Sequence, residues 1–242
     1  MLRPITVQSA NRISALVVGP AGIGKTSLLR TLCGQTFKDG KWEKTGEAEK
    51  VFVLSAESGL LCVRDLIQSG DVKGCEIGSL MEFQEAQRMC MSNEFLAKGY
   101  KWLFIDSLTE IASRCSETLQ KKYPGKSDSF KLWGEYTQTM TDIIKTFRDM
   151  QEYNVVFTCL EAIDKDEYGS RILTPDIQGS GLKNRLTSYF DEVFHMEKQK
   201  TAEGAAIVFS TAEPVGLAKD RSGKLDAYEI PSLSHVKNKI LA

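Results

Sequence analysis

The run Gly19-Pro20-Ala21-Gly22-Ile23-Gly24-Lys25-Thr26 constrains this chain more than any other feature. It satisfies the pattern GxxxxGK(S/T) without a mismatch. Its flanks fit as well. The apolar run SALVV (14–18) reads as a buried strand, and Lys25 to Cys33 reads as a helix closed by Gly34 at the C′ position. In such a strand–turn–helix unit, glycines let backbone N–H groups converge on a phosphate chain without side-chain obstruction. The helix N-terminus adds the positive end of its dipole. Gly19, Pro20, Ala21, Gly22, Ile23, Gly24, Lys25, Thr26 and Ser27 are therefore the candidate phosphate-binding residues. Lys25 supplies a point charge to the terminal phosphates, and the Thr26 hydroxyl is placed to ligate Mg2+.

Strand and helix patterns alternate from this unit onward, which implies an α/β fold with a central, mainly parallel sheet and helices on both faces. Residues 51–55, 100–105, 154–160, 191–196 and 205–210 read as further strands, with a short one at 75–77. Ser79 and Glu82 stand at capping-box spacing at the head of a helix. Trp133, Tyr136, Met140, Ile143, Ile144 and Phe147 recur at helical spacing. Two stretches, 116–132 and 162–181, lack clear periodicity and read as long loops.

The chain carries 31 basic and 32 acidic residues, a formal net charge of −1. That disfavours a whole-surface polyelectrolyte binder and leaves any nucleic-acid site to a local patch. The six cysteines form no CxxC pair and lie far from His195 and His235, so reduced thiols in a cytoplasmic protein are expected. There is no apolar signal run at the N-terminus, and no stretch approaches about 18 uninterrupted apolar residues. No membrane partner is expected.

A phosphate-binding loop of this kind needs an acid for its metal. Trp102 to Ile105 is an apolar strand ending in Asp106, at the carboxyl edge where ligands bind in open α/β sheets. Asp106 and Thr26 are thus the candidate metal residues. A second strand, Val51 to Ser55, leads through Ala56 to Glu57, whose carboxylate is placed to polarise a water for in-line attack on a γ-phosphate. No NKxD base-reading motif occurs and no DxxG follows Asp106, which argues against a GTPase. Only Arg171 and Arg185 lie near a candidate lid, which disfavours a small-molecule kinase.

With these residues in place, the chain resembles the RecA-like P-loop ATPases. The closer resemblance is to short phage nucleotide-binding proteins that look like a bare RecA core and include ATP-dependent single-strand annealing and recombinase proteins. It is carried by VVGPAGIGKT, LSAESGL, WLFIDSLTEI, WGEY (133–136), DIQGSGLKNRL (176–186) and GLAKDRSGKL (216–225). Residues 1–242 then form a single RecA-like core domain with a short N-terminal extension and a short C-terminal tail. The resemblance implies ATP and Mg2+ as cofactors, and Lys25 and Glu57 as catalytic residues. It also implies a polar sensor at the end of the strand after Asp106, commonly Gln, where this chain has Glu161. A carboxylate there repels a γ-phosphate unless a cation or a proton intervenes.

The same resemblance implies a homo-oligomer, ring or filament, in which Lys219 and Arg221 reach the ATP of a neighbouring subunit. Single-stranded DNA would be bound by the two aperiodic stretches. The first, Arg114 to Lys131, holds five basic and two acidic residues interleaved with Tyr123 and Phe130, and offers Lys122, Lys126 and Lys131. The second, Ile163 to Gly181, is net acidic; Arg171 and, beyond it, Lys183, Asn184 and Arg185 are its candidates. The implied function is ATP-dependent single-stranded DNA binding in recombination, with a single-strand-binding protein as a further partner. A nucleotide-switched adaptor, a helicase-like motor and, less favoured, a phosphotransferase remain as alternatives.

Overall fold

The computed structural model describes residues 11–166, 168–201, 204–212 and 217–242; of Lys126 and Thr201 it describes the backbone alone. β1 (Ser14–Gly19) is buried along its whole length. A 3-10 turn, Thr26–Leu28, and a short helix α1 (Leu29–Leu32) come after the glycine turn. Gly34 closes this helix with φ 73°, and a Cβ there would lie 2.4 Å from the Gly46 carbonyl oxygen, so only glycine fits. A small hairpin, β2 (Gln35–Lys38) with β3 (Lys41–Lys44), stands apart from the main sheet.

Next come β4 (Val51–Ser55), a 3-10 turn (Leu60–Val63), α2 (Arg64–Ser69), β5 (Val72–Glu76), α3 (Leu80–Cys90), α4 (Asn93–Leu96) and β6 (Trp102–Asp106). The helices α5 (Leu108–Lys122) and α6 (Ser129–Arg148) lead to β7 (Asn154–Lys165) and β8 (Arg171–Pro175). The chain ends with α7 (Ser180–Lys183), β9 (Glu192–Thr201), β10 (Gly204–Ser210), β11 (Lys219–Asp220), β12 (Tyr228–Glu229) and α8 (Leu233–Leu241).

The main sheet runs β12-β10-β9-β1-β7-β6-β4-β5. The six strands from β9 to β5 are parallel, and β10 and β12 add an antiparallel edge. The architecture is therefore the expected α/β one. Period-two alternation divides the core into two layers. Leu16 and Val18 of β1 face α3, α5 and α6 together with Leu103, Ile105, Val155 and Phe157. Ala15 and Val17 face α1, α2 and α8 together with Val53, Phe104 and Val156. Each fully buried Leu, Phe or Ile contributes about 1.5–3 kcal/mol relative to exposure.

Four sequence expectations are corrected. Residues 116–132 are not a loop: α5 continues to Lys122, and α6 begins at Ser129 after one 3-10 turn. The stripe Ile111, Cys115, Ser116 and Leu119 buries one face of α5, and a buried serine within a charged run hides its period. Residues 162–181 are not a loop either. β7 runs on past the sheet to Lys165 and folds back as β8, pairing Glu161 with Pro175 through Lys165 with Arg171. The short strand expected at 75–77 begins earlier, at Val72. The helix expected from Lys25 to Cys33 is shorter and opens as a 3-10 turn. The Ser79 cap is present, its hydroxyl accepting from the Glu82 N–H at 3.2 Å.

Candidate nucleotide-binding site

Parallel register brings the candidate residues to one edge of the sheet. Ser55 stands beside Asp106, Gly19 beside Leu160, and Val18 beside His195. Strands β4, β6 and β1 end at this common edge, and β7 and β9 pass it at Leu160 and His195.

Asp106 is 2% exposed and accepts on both oxygens. Thr26 Oγ1 donates to Oδ2 at 2.7 Å, and Thr158 Oγ1 of β7 donates to Oδ1. Burial pushes the Asp106 carboxyl above its usual value, and the two threonine hydroxyls oppose that push. Ser107 has two tasks. Its hydroxyl caps α5 by accepting from the Glu110 N–H and donates to Glu57 Oε1. Glu57 is half-buried, and its backbone N–H donates to the Asp106 carbonyl at 3.2 Å. One carboxylate oxygen of Glu57 is thus anchored in the same turn that carries Asp106.

Gly22 and Gly24 hold φ of 74° and 106°, and a Cβ built on Gly22 meets nothing within 4 Å. The turn is an open cradle of backbone that only glycine adopts without strain. Lys25 is 8% exposed, and its Nζ donates to the carbonyls of Gly19 at 2.8 Å and Pro20 at 2.9 Å. Burial lowers the Lys25 amine from its usual value, while the charges of Glu57, Asp106 and Glu161 pull it back up. The cradle, one amine and the hard oxygens of Thr26 and Asp106 suit a nucleotide triphosphate with Mg2+, which would supply Lewis-acid polarisation of the phosphates.

These features match a known family. Its profile, an AAA domain named AAA_24, covers residues 11–222. The chain belongs to the AAA_24 family. This AAA domain is accordingly a P-loop ATPase. None of the curated proteins compared matches the chain. Among solved structures, a KaiC-like protein from the hyperthermophilic archaeon Pyrococcus horikoshii OT3 is similar at 13% identity and a TM-score of 0.42, over 81% of this chain and 76% of that one.

The remaining sequence candidates of this AAA domain fall into three groups. Glu161 lies where β7 leaves the sheet, and its Oε2 is 2.8 Å from His195 Nε2. His195 is absent from the sequence candidates. Nothing in its neighbourhood marks it; only the β1–β9 register brings it beside the phosphate-binding turn. Lys219 and Arg221 are both held within their own chain. Lys219 Nζ donates to the Thr187 carbonyl at 2.9 Å and to the Phe190 carbonyl, and Arg221 pairs with Asp191 at 2.7 Å. Burial and the neighbouring Arg221 charge lower the Lys219 amine.

The third group is the basic one. Lys122 sits on helix α5 and pairs with Glu135 at 2.7 Å, while Lys131 pairs with Asp128 at 3.4 Å. Lys126 keeps its backbone place in the 3-10 turn; its side chain lies outside the described residues. Arg114 is committed to the carbonyls of Ala56 and Gly78. Arg171, Asn184 and Arg185 are exposed, and Lys183 bridges to Asp164 at 3.1 Å. Asp166 accepts from the backbone N–H groups of Tyr168 and Ser170, so this acid shapes the hairpin tip. Glu167 and Gly216 lie outside the described residues. All six cysteines stand as free thiols, and none of the described helices is long and apolar enough to cross a membrane.

Proposed function

We propose that this AAA domain is an ATP-dependent single-stranded DNA-binding protein of recombination, annealing or exchanging strands as a homo-oligomer with ATP at its subunit interfaces. The observation that carries the ATPase half is the joining of Thr26, Asp106, Ser107 and Glu57 in one hydrogen-bonded corner. Thr26 and Asp106 hold Mg2+ there, Lys25 binds the terminal phosphates, and the free oxygen of Glu57 takes the proton of an attacking water.

The DNA half draws support from two exposed aromatics on charged turns. Phe130 is 91% exposed at the head of α6, next in sequence to Lys131. Tyr168 is 85% exposed at the β7–β8 tip, between Lys165 and Arg171. Exposed aromatics next to cations stack bases without regard to sequence. α6 packs on α7, which carries Lys183, so the first candidate segment neighbours that lysine's helix.

The test is ATP hydrolysis by the purified protein with single-stranded DNA, duplex DNA or neither, at one stated salt concentration. Stimulation by single strands that Lys25→Ala abolishes and that Phe130→Ala with Tyr168→Ala weakens is expected. Hydrolysis indifferent to nucleic acid overturns the DNA half and leaves the ATPase. A nucleotide-switched adaptor is the second reading, favoured by the engagement of Lys219 with its own chain's carbonyls. Slow turnover that assembly does not raise distinguishes it.

A further inference from the structure

A carboxylate facing a triphosphate is an electrostatic fault unless something neutralises it. Glu161 lies where β7 leaves the main sheet, and its charge contributes to the field felt by Lys25. The residue against it is His195. Its Nε2 lies 2.8 Å from Glu161 Oε2, with 5% of the imidazole and 21% of the carboxylate side chain exposed. Both side chains line a recess of about 370 Å³ together with Pro20, Ala21, Gly22 and Ile23 of the phosphate-binding turn. The pair therefore shares a wall with the loop that holds the phosphates.

We propose that His195 is a positioning residue of the ATP site: protonated, it neutralises Glu161 and holds that carboxyl beside the γ-phosphate, and deprotonated, it leaves Glu161 to repel the nucleotide. The proposal rests on the ATPase reading above and adds to it a proton-linked control of ATP affinity. Imidazolium and carboxylate together carry no net charge. Loss of the proton leaves a net charge of −1 on the wall of the phosphate site. Linkage then requires the reciprocal effect: bound ATP raises the proton affinity of His195 by the same factor.

The surrounding groups are few among the described residues. Lys25 comes from the phosphate-binding turn, and Glu197 and Lys198 stand farther along β9. Glu197 accepts from Gln199 at 2.9 Å. The neighbours of His195 in the flanking strands, Val18 of β1 and Ser210 of β10, do not titrate in this range. Glu57 and Asp106 also act on the charge of Lys25. Glu161 is a carboxylate in direct contact with His195 in this recess.

The experiment measures ATP binding and steady-state hydrolysis from about pH 6 to pH 9, the window in which an imidazole changes charge. In wild type the KM for ATP is expected to rise about tenfold across this range, with kcat changing less. Glu161→Gln keeps the shape, removes the charge and holds KM at or below the wild type's low value at every pH. His195→Gln gives the high KM at every pH, and the double variant recovers the low one. The chain has only two histidines, so His235→Gln assigns the imidazole NMR signals. A non-hydrolysable ATP analogue is expected to raise the His195 titration midpoint, and ADP to raise it less. A flat wild-type KM profile, a double variant no better than His195→Gln, or a midpoint indifferent to the γ-phosphate overturns the proposal while ATP binding that needs Lys25 keeps the ATPase reading. Failure of wild type to bind ATP in a Lys25-dependent way overturns both. Should His195→Gln not fold, Glu161→Gln and the NMR titration of wild type still decide.

Discussion

Thr26 Oγ1 donates a 2.7 Å hydrogen bond to Asp106 Oδ2 across 80 residues of sequence. The bond joins the first residue of the 3-10 turn after β1 to the last residue of β6, although β7 lies between those strands in the sheet. Two oxygens that a divalent cation prefers are thereby held together.

Asp106→Asn is expected to lower kcat at least about 100-fold, equivalent to about 2.7 kcal/mol of transition-state stabilisation. Chelation of Mg2+ in the wild type is expected to have the same effect. A phosphate-release assay on both checks it; an Asn variant with wild-type turnover removes Asp106 from the metal site.

Glu57→Gln preserves the hydrogen bond from Ser107 and loses the basic oxygen. Hydrolysis is expected to fall by about 10²–10⁴-fold while ATP is still bound. Equilibrium binding of labelled ATP beside single-turnover hydrolysis separates the two. Equal loss of both assigns Glu57 to binding.

Gly34→Ala places a Cβ against the Gly46 carbonyl in a left-handed backbone. The expected loss is about 1–3 kcal/mol of stability. For a domain of this size, thermal melting shifts by about 2–4 °C for each kcal/mol. The neighbouring exposed Gly40→Ala also sits at positive φ but meets no atom, so it is expected to cost less. Calorimetry on the pair isolates the clash from the backbone term.

Glu192 is 1% exposed, and burial with the nearby Asp220 pushes its carboxyl up to about 8. The folded state then binds a proton that the unfolded state releases above about pH 4.5. Stability is therefore fully present below that value and is lost as pH rises toward 8, by an amount on the order of 1–3 kcal/mol. Denaturant midpoints between about pH 5 and pH 8 test the sign. Glu192→Gln is expected to flatten the slope; an unchanged slope assigns it to another group.

The β1 strand, the glycine turn, β4 and β6 were legible because each is a short apolar run bounded by glycine or a single acid. That pattern survives in one dimension, as SALVV before Gly19 and WLFI before Asp106 show. The β7–β8 hairpin was not legible. Its outer half is solvated on both faces, so Asp164, Lys165 and Asp166 carry no alternation, and Ile163 is 68% exposed. α5 was cut short for a similar reason: Ser116 is buried where the helical stripe calls for an apolar residue.

Residue type and local spacing by themselves determined that a phosphate-binding turn forms between a strand and a helix, because backbone conformation at glycines and the periods of two and 3.6 are local properties. Which side chains complete the site was decided only by tertiary structure. Thr158 and His195 carry no signal in their own neighbourhoods, yet they hold Asp106 and Glu161. Their roles arise from the register of parallel strands far apart in sequence, and register is fixed by the packing of whole layers, not by any one segment.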